Sequence, residues 1–268
     1  MKQTSLLSAL TLSAISAGLL LTSCEKKGDF TPSNPTGLVR AHITETSTTY
    51  DAVKLKIKSV EFNHVDVKGL STWYPAGNFK AGIYDLTKFQ NGLDTVLGTL
   101  ALPPGQITQA RLIIGDSNSV VVNGNTYPLN SFSGQQTGLK VNFAQPIETG
   151  KEYDIWFNFD AQRSITDGGG GVYELTPSIR VYNIANTGAI KGYVQPLVKP
   201  NWIWAIKGRD SVLAITDGSG YFYAGGLPGG TYKVFITPGD TAYNDSTITN
   251  VPVNNGNVTD LMQITLEQ

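Results

Sequence analysis

Between residues 52 and 62 the chain reads AVKLKIKSVEF, and apolar and charged residues alternate one for one at its start. Val53, Leu55 and Ile57 fall on one side of an extended backbone, and Lys54, Lys56 and Lys58 on the other. That period of two belongs to a strand; a helix would scatter the lysines around its axis. Such a strand wets one face and buries the other, so a second apolar layer must cover it. At Ser59–Val60 the phase slips, Val60 and Phe62 become the apolar set, and a β-bulge is expected.

The same period recurs. In YDIWFNFDA, Tyr153, Ile155, Phe157 and Phe159 share a face opposite Trp156, Asn158 and Asp160. VYELTPSIRVYN places Tyr173, Leu175, Ile179 and Val181 inward, and ARLIIGD reads as another strand. LPPG, VNGN and DGGGG mark turns. The one helix expected is short, within YDLTKFQNG, starting at Asp85 as a cap and stopping at Gly92. Past NIANTGAI, residues 183–190, come roughly six or seven short strands with frequent turns, the pattern of a small sandwich. Abundant Gly, Thr and Tyr with only two Met and two His fit an exported all-β protein. The expected architecture is all-β: an antiparallel, β-rich, sandwich-like domain over 38–184, then a smaller β-sandwich over 186–268.

The amino terminus has a different character. Met1 and Lys2 form a short positive end, and Ser5 to Leu21 carry no charge. That is the layout of a secretory signal. A spanning helix needs about 20 predominantly apolar residues, and this run is interrupted by Ser8, Thr11, Ser13 and Ser16. LTSC, Leu21 to Cys24, resembles a bacterial lipobox and holds the only Cys. The resemblance implies a signal over 1–23, cleavage between Ser23 and Cys24, and acylation of the Cys24 thiol, which alone can form the thioether. Two or more acyl chains such as palmitate hold a protein stably to a bilayer where one does not. EKKGDFTPSNPTG then reads as a tether, 24–37. The expected location is the outer membrane, lipid-anchored, with the periplasmic face and the cell surface both open.

Two further resemblances cover most of the rest. IKGYV, TDGSGYF, GGLPGGTYKV and VPVNNGNVTDLMQITL resemble the carboxypeptidase-regulatory-like, transthyretin-like β-sandwich, a fold grouped with carbohydrate-binding-like domains. In that fold Tyr232 and Val234 face the core. YDAVKLKIKSVEF, YDLTKFQNG, LPPGQITQARLII, YPLNSFSGQQTGLKV, FNFDAQRSI and YELTPSIRVY resemble a bacterial lipoprotein domain of unknown function, number 4382. Neither resemblance brings a reaction.

The residues exclude several chemistries. A formal charge of −1 offers no basic field for nucleic acid. The mature chain's one Cys is consumed by lipid, only His42 and His64 exist, and neither HExxH nor CxxC occurs. His-dependent triads and zinc sites are therefore not expected, and no metal or cofactor is. His64 follows a Lys-rich strand and reads as a surface residue. Asp154, Asp160 and Glu174 are the carboxylates that could form a glycosidase-like pair. Asp160 has Arg163 nearby and Arg111 and Arg180 on other strands, and Asp160 with Arg180 is expected as a structural ion pair. Trp202 and Trp204 alternate on one face, as a sugar-stacking platform or a core face would; the core is the expectation. The expected function is a non-catalytic envelope lipoprotein, a binding or structural module for carbohydrate or a partner protein. The alternative is a glycan-active hydrolase with a carboxylate pair.

Overall fold

AVKLKIKSVEF begins a strand of 15 residues, Ala52–Asp66, on which a wide sheet is built. The computed structural model describes residues 35–46, 48–131, 138–197 and 199–268; the signal, Ser23, Cys24 and the tether to residue 34 lie outside them. Val53, Leu55, Ile57, Val60 and Phe62 are fully buried. The apolar series changes phase because the pairing with Gly105–Ile114 slips between Ile57 and Ser59. The sheet has nine strands. Its path runs Ile165–Asp167, Tyr173–Leu175, Asn125–Ser131, Asn118–Val122, Ala52–Asp66, Gly105–Ile114, Leu139–Ile147. Ser71–Pro75 and Gly82–Asp85 also pair with the long strand.

A narrow sheet faces it, in the order Ile179–Asn183, Glu152–Asp160, Gly37–Thr46, Thr95–Leu102. Between the two lie Val39, Ile43, Leu55, Phe62, Phe157 and Phe159, all in one cluster. Each such side chain contributes about 1.5–3 kcal/mol by leaving water. The all-β expectation holds, but the sheets are mixed rather than antiparallel. Gly37–Thr46 runs parallel to Glu152–Asp160, and Tyr173–Leu175 parallel to Asn125–Ser131. Each pair is joined by a long excursion through other strands, which a parallel pairing requires.

Leu86–Phe89 is a 3-10 turn rather than an α-helix. Asp85 accepts from the Thr87 hydroxyl at 2.8 Å instead of capping a backbone N–H; the turn stops at the extended Gln90, and Gly92, at φ +86°, follows two residues later.

Beyond Asn183 a 3-10 turn, Ile184–Asn186, leads into a second pair of sheets. Tyr221–Leu227, Gly188–Gln195 and Val258–Thr265 form one; Asp210–Ile215, Trp202–Lys207, Gly230–Thr237 and Ser246–Val253 form the other. Ile190, Ile203, Phe222, Tyr232, Val234 and Ile236 fill a separate core. Trp202 and Trp204 are not in it. Ile203 and Ala205 take the inward positions, and both indoles lie half-buried on the outer face. Both faces of WIWAIK are apolar, so periodicity alone could not choose between them.

Candidate functional site

The outer face of the narrow sheet is polar and is partly covered by the C-terminal lobe. Alternation puts it there: while Ile155, Phe157 and Phe159 point into the core, Trp156, Asn158 and Asp160 point away. Register sets His42 opposite Trp156, and Trp156 opposite Tyr182. The three rings form a cross-strand row, His42 stacked on Trp156 at 4.5 Å and Trp156 on Tyr182 at 6.2 Å. Asp94 ties two of them together, meeting His42 Nδ1 at 2.8 Å and accepting from Trp156 Nε1 at 3.0 Å. His42 Nε2 lies 3.0 Å from Asp154, which Arg40 also holds. Both imidazole nitrogens thus face carboxylates, and neither is open to a substrate. The small cavity beside this row, about 60 Å³ and lined by Thr44, Asp94, Trp156, Tyr182 and Tyr223, has room for a few waters only.

Glu45 continues the inward series Val39, Ala41, Ile43 and is 2% exposed. Its Oε1 accepts from Ala161 N, while Oε2 is buried with no partner. Burial holds its carboxyl well above the ordinary range, with the neighbouring Asp160 pushing the same way. Burial raises Asp160 too, against the opposing pull of the Arg163 backbone N–H and of Arg163 and Arg180.

A larger cavity, about 530 Å³, opens where the turn Ala161–Ser164 and the strand Ile179–Asn183 meet the C-terminal lobe. That is within the range of small-molecule sites. Arg163, Arg180, Lys207 and Arg209 line it, with Asp210 the one acidic lining residue. Asp160 caps the turn by accepting from Arg163 N at 2.9 Å, which aims Arg163 over Trp204 at 5.7 Å and toward Ser211 Oγ at 3.4 Å. Arg180 alternates outward between the core-facing Ile179 and Val181. Its Nη2 donates to the Gly226 carbonyl at 2.5 Å, and its Nη1 is buried without a partner. Lys207 donates to the Gly229 carbonyl and lies 5.7 Å over the Tyr232 ring.

The expected Asp160–Arg180 ion pair is replaced by another. Asp160 pairs with Arg163 at 3.6 Å, three residues along, and Arg180 reaches across to Gly226 instead. Register explains it: Arg180 lies opposite Asn158, so Asp160 is its diagonal neighbour. Arg111 is elsewhere, on the wide sheet, paired with Glu61 at 2.8 Å and 4.2 Å over Trp73. Asp154 and Asp160 lie six positions apart on one strand, about 20 Å, beyond the roughly 5–9.5 Å of a glycosidase pair. Glu174 is exposed on the wide sheet. The three carboxylates are not brought together.

His64 is 1% exposed, not a surface residue. Its Nε2 has no partner, and burial lowers its pKa. His64 shares the phase of the buried Val60 and Phe62, Ser71–Pro75 pairs alongside it, and the ring sits edge-on to Tyr74. Among the described residues no cluster of three or more His, Cys, Asp or Glu could hold a metal ion. No motif in the sequence marks His42, Glu45 or Asp94. The alternation of Val39, Ala41 and Ile43 in GLVRAHITET was the available signal for the first two; Asp94 had none.

Solved structures with a similar arrangement are remote. A type II cohesin–X-dockerin complex from Acetivibrio cellulolyticus is 24% identical, with a TM-score of 0.24, over 30% of this chain and 56% of that one. The minor pilin GBS52 of Streptococcus agalactiae is 10% identical at a TM-score of 0.25, over 85% and 95%. A fimbrial protein of Bacteroides ovatus is 8% identical at 0.25, over 87% and 50%. The chain spans only 56% and 40% of the first two solved chains it matches. A search of curated proteins finds no match. Residues 36–177 match a family model described as "Domain of unknown function (DUF4382)", and over that half of its length the chain belongs to this family.

Proposed function

We propose that the protein is a non-catalytic envelope lipoprotein, acylated at Cys24 and held at the outer membrane, that binds a ligand where its two lobes meet. In this reading residues 38–184 are one folding unit and 186–268 a second, transthyretin-like sandwich. The observation that carries it is the contrast between the two polar regions. The carboxylates and His42 of the aromatic row are committed to one another, whereas the 530 Å³ cleft is lined by four cationic side chains and leaves Arg180 Nη1 without a partner. A cationic site without a pair of carboxylates suits holding a molecule better than cleaving one. Of the two ligand classes, polysaccharide and envelope protein, the cleft's size favours a glycan.

Two measurements on the full chain test it. Labelled palmitate should enter the wild type and not Cys24→Ser. The delipidated protein should retain at least one polysaccharide saturably in a panel screen, and retain it less well as Arg209→Ala. Labelling of the Ser variant would remove the anchor. Glycan hydrolysis lost in Asp160→Asn with folding intact would make the protein a hydrolase, the second reading.

A further inference from the structure

We propose that the interlobe cleft is a site for a doubly charged tetrahedral oxyanion, phosphate or sulfate, whether free or as an ester on a larger molecule. This rests on reading the cleft as the ligand site and names the chemistry it takes. Four cationic side chains, Arg163, Arg180, Lys207 and Arg209, line the cavity with one acidic residue, Asp210, so the lining carries a formal charge of four minus one. Asp160 neutralises Arg163 from behind. That leaves two positive charges, the balance of a dianion. No described carboxylate lies within ion-pair distance of Arg180, Lys207 or Arg209.

The donors are also positioned. The Gly226 carbonyl fixes one end of the Arg180 guanidinium, and the buried Nη1 at the other end has no partner. Buried donors are nearly always satisfied, so an orphaned one beside a cavity marks a missing acceptor. Arg163 and Arg180 both line the cavity from the N-terminal lobe and repel one another, and an anion bound beside them would relieve that. The cations come from three separate places: the turn Ala161–Ser164, the strand Ile179–Asn183, and the end of Trp202–Lys207 with the turn that follows it. A planar carboxylate satisfies one guanidinium fork. A tetrahedral dianion presents oxygens to all three directions, and guanidinium binds such groups through paired N–H bonds. The cavity is larger than the ion, which leaves space for whatever bears it.

The test titrates the full chain with sodium phosphate and with sodium sulfate, against sodium chloride at equal ionic strength. Calorimetry and tryptophan emission are the readouts, since Arg163 lies over Trp204. Phosphate and sulfate should bind saturably and chloride should not. Arg209→Ala and Lys207→Ala should each weaken binding about tenfold, the loss of one charge-assisted hydrogen bond. Arg180→Gln should abolish it; because Arg180 is largely buried, the two more accessible variants keep the test decisive if that protein fails to fold. A sulfated oligosaccharide binding more tightly than sulfate identifies an ester as the natural form, and equal binding identifies the free ion. A response no different from chloride, or unchanged affinity in Arg209→Ala and Lys207→Ala, overturns the proposal. Binding of a neutral polysaccharide that survives Arg180→Gln would overturn it while leaving the binding-module reading intact. Phosphate binding with no polysaccharide retained would do the opposite.

Discussion

The ring of Tyr182 lies against Gly226 so closely that a Cβ added to the glycine would sit 2.4 Å from Tyr182 Cδ1. Gly226 also adopts φ +67°, and its carbonyl accepts from Arg180, two residues before that tyrosine. Glycine is therefore required twice at this point, for its conformation and for the approach of one lobe to the other.

Gly226→Ala should destabilise the protein by about 1–3 kcal/mol from backbone conformation alone, and by more once Tyr182 is displaced. Chemical denaturation of the single variants and the double variant with Tyr182→Ala separates the two contributions. In the Tyr182→Ala background the glycine substitution should cost only the conformational part. Equal costs in both backgrounds would mean that the ring does not press on the glycine in solution.

Glu45 sets a pH dependence. Its folded carboxyl is raised above the ordinary value of 4.5 by burial, so the native state holds a proton that the unfolded chain releases. Stability from this group is complete below the unfolded value and is lost as pH rises through the raised one. Burial of Asp160 acts with the same sign. Glu45→Gln removes the charge at nearly constant size, so it should match the wild type near pH 4 and exceed it at pH 8. Melting temperatures across that range decide; a Gln variant less stable than wild type at pH 8 refutes the assignment.

The indoles of the C-terminal lobe offer a graded comparison. Phe222 is fully buried, and truncating it to Ala should cost about 3–5 kcal/mol. Trp204 is larger but half-buried on the outer face, so Trp204→Ala should cost less, with intermediate acrylamide quenching in the wild type. Equal losses in urea denaturation would return Trp204 to a core position.

A fragment of residues 186–268 should fold alone, because Ile190, Phe222, Val234 and Ile236 form their own cluster. Its stability should be modest for its size. Proteolysis of the whole chain should spare the connection at Asn183–Thr187, where Asn183 accepts from Ala185 N, donates to Gln145, and its carbonyl receives the Thr187 hydroxyl. A collapsed NMR spectrum for the fragment would contradict the independence of the second core.

What the sequence determined by itself was whatever depends on period. Lysines alternating with Val53, Leu55 and Ile57 dictate a one-sided strand, and a slip of phase near Ser59 dictates a bulge, because each is a property of neighbours along one backbone. The tertiary structure decided everything that depends on what lies across a sheet or over it. Trp202 and Trp204 went outward because both faces of their strand are apolar and only the opposing sheet chooses between them. Asp160 met Arg163 rather than Arg180 because register put Arg180 opposite Asn158. The cationic cleft was invisible for the same reason: Arg163, Arg180, Lys207 and Arg209 are ordinary in their own segments, and only the meeting of two lobes gathers their charge around one cavity.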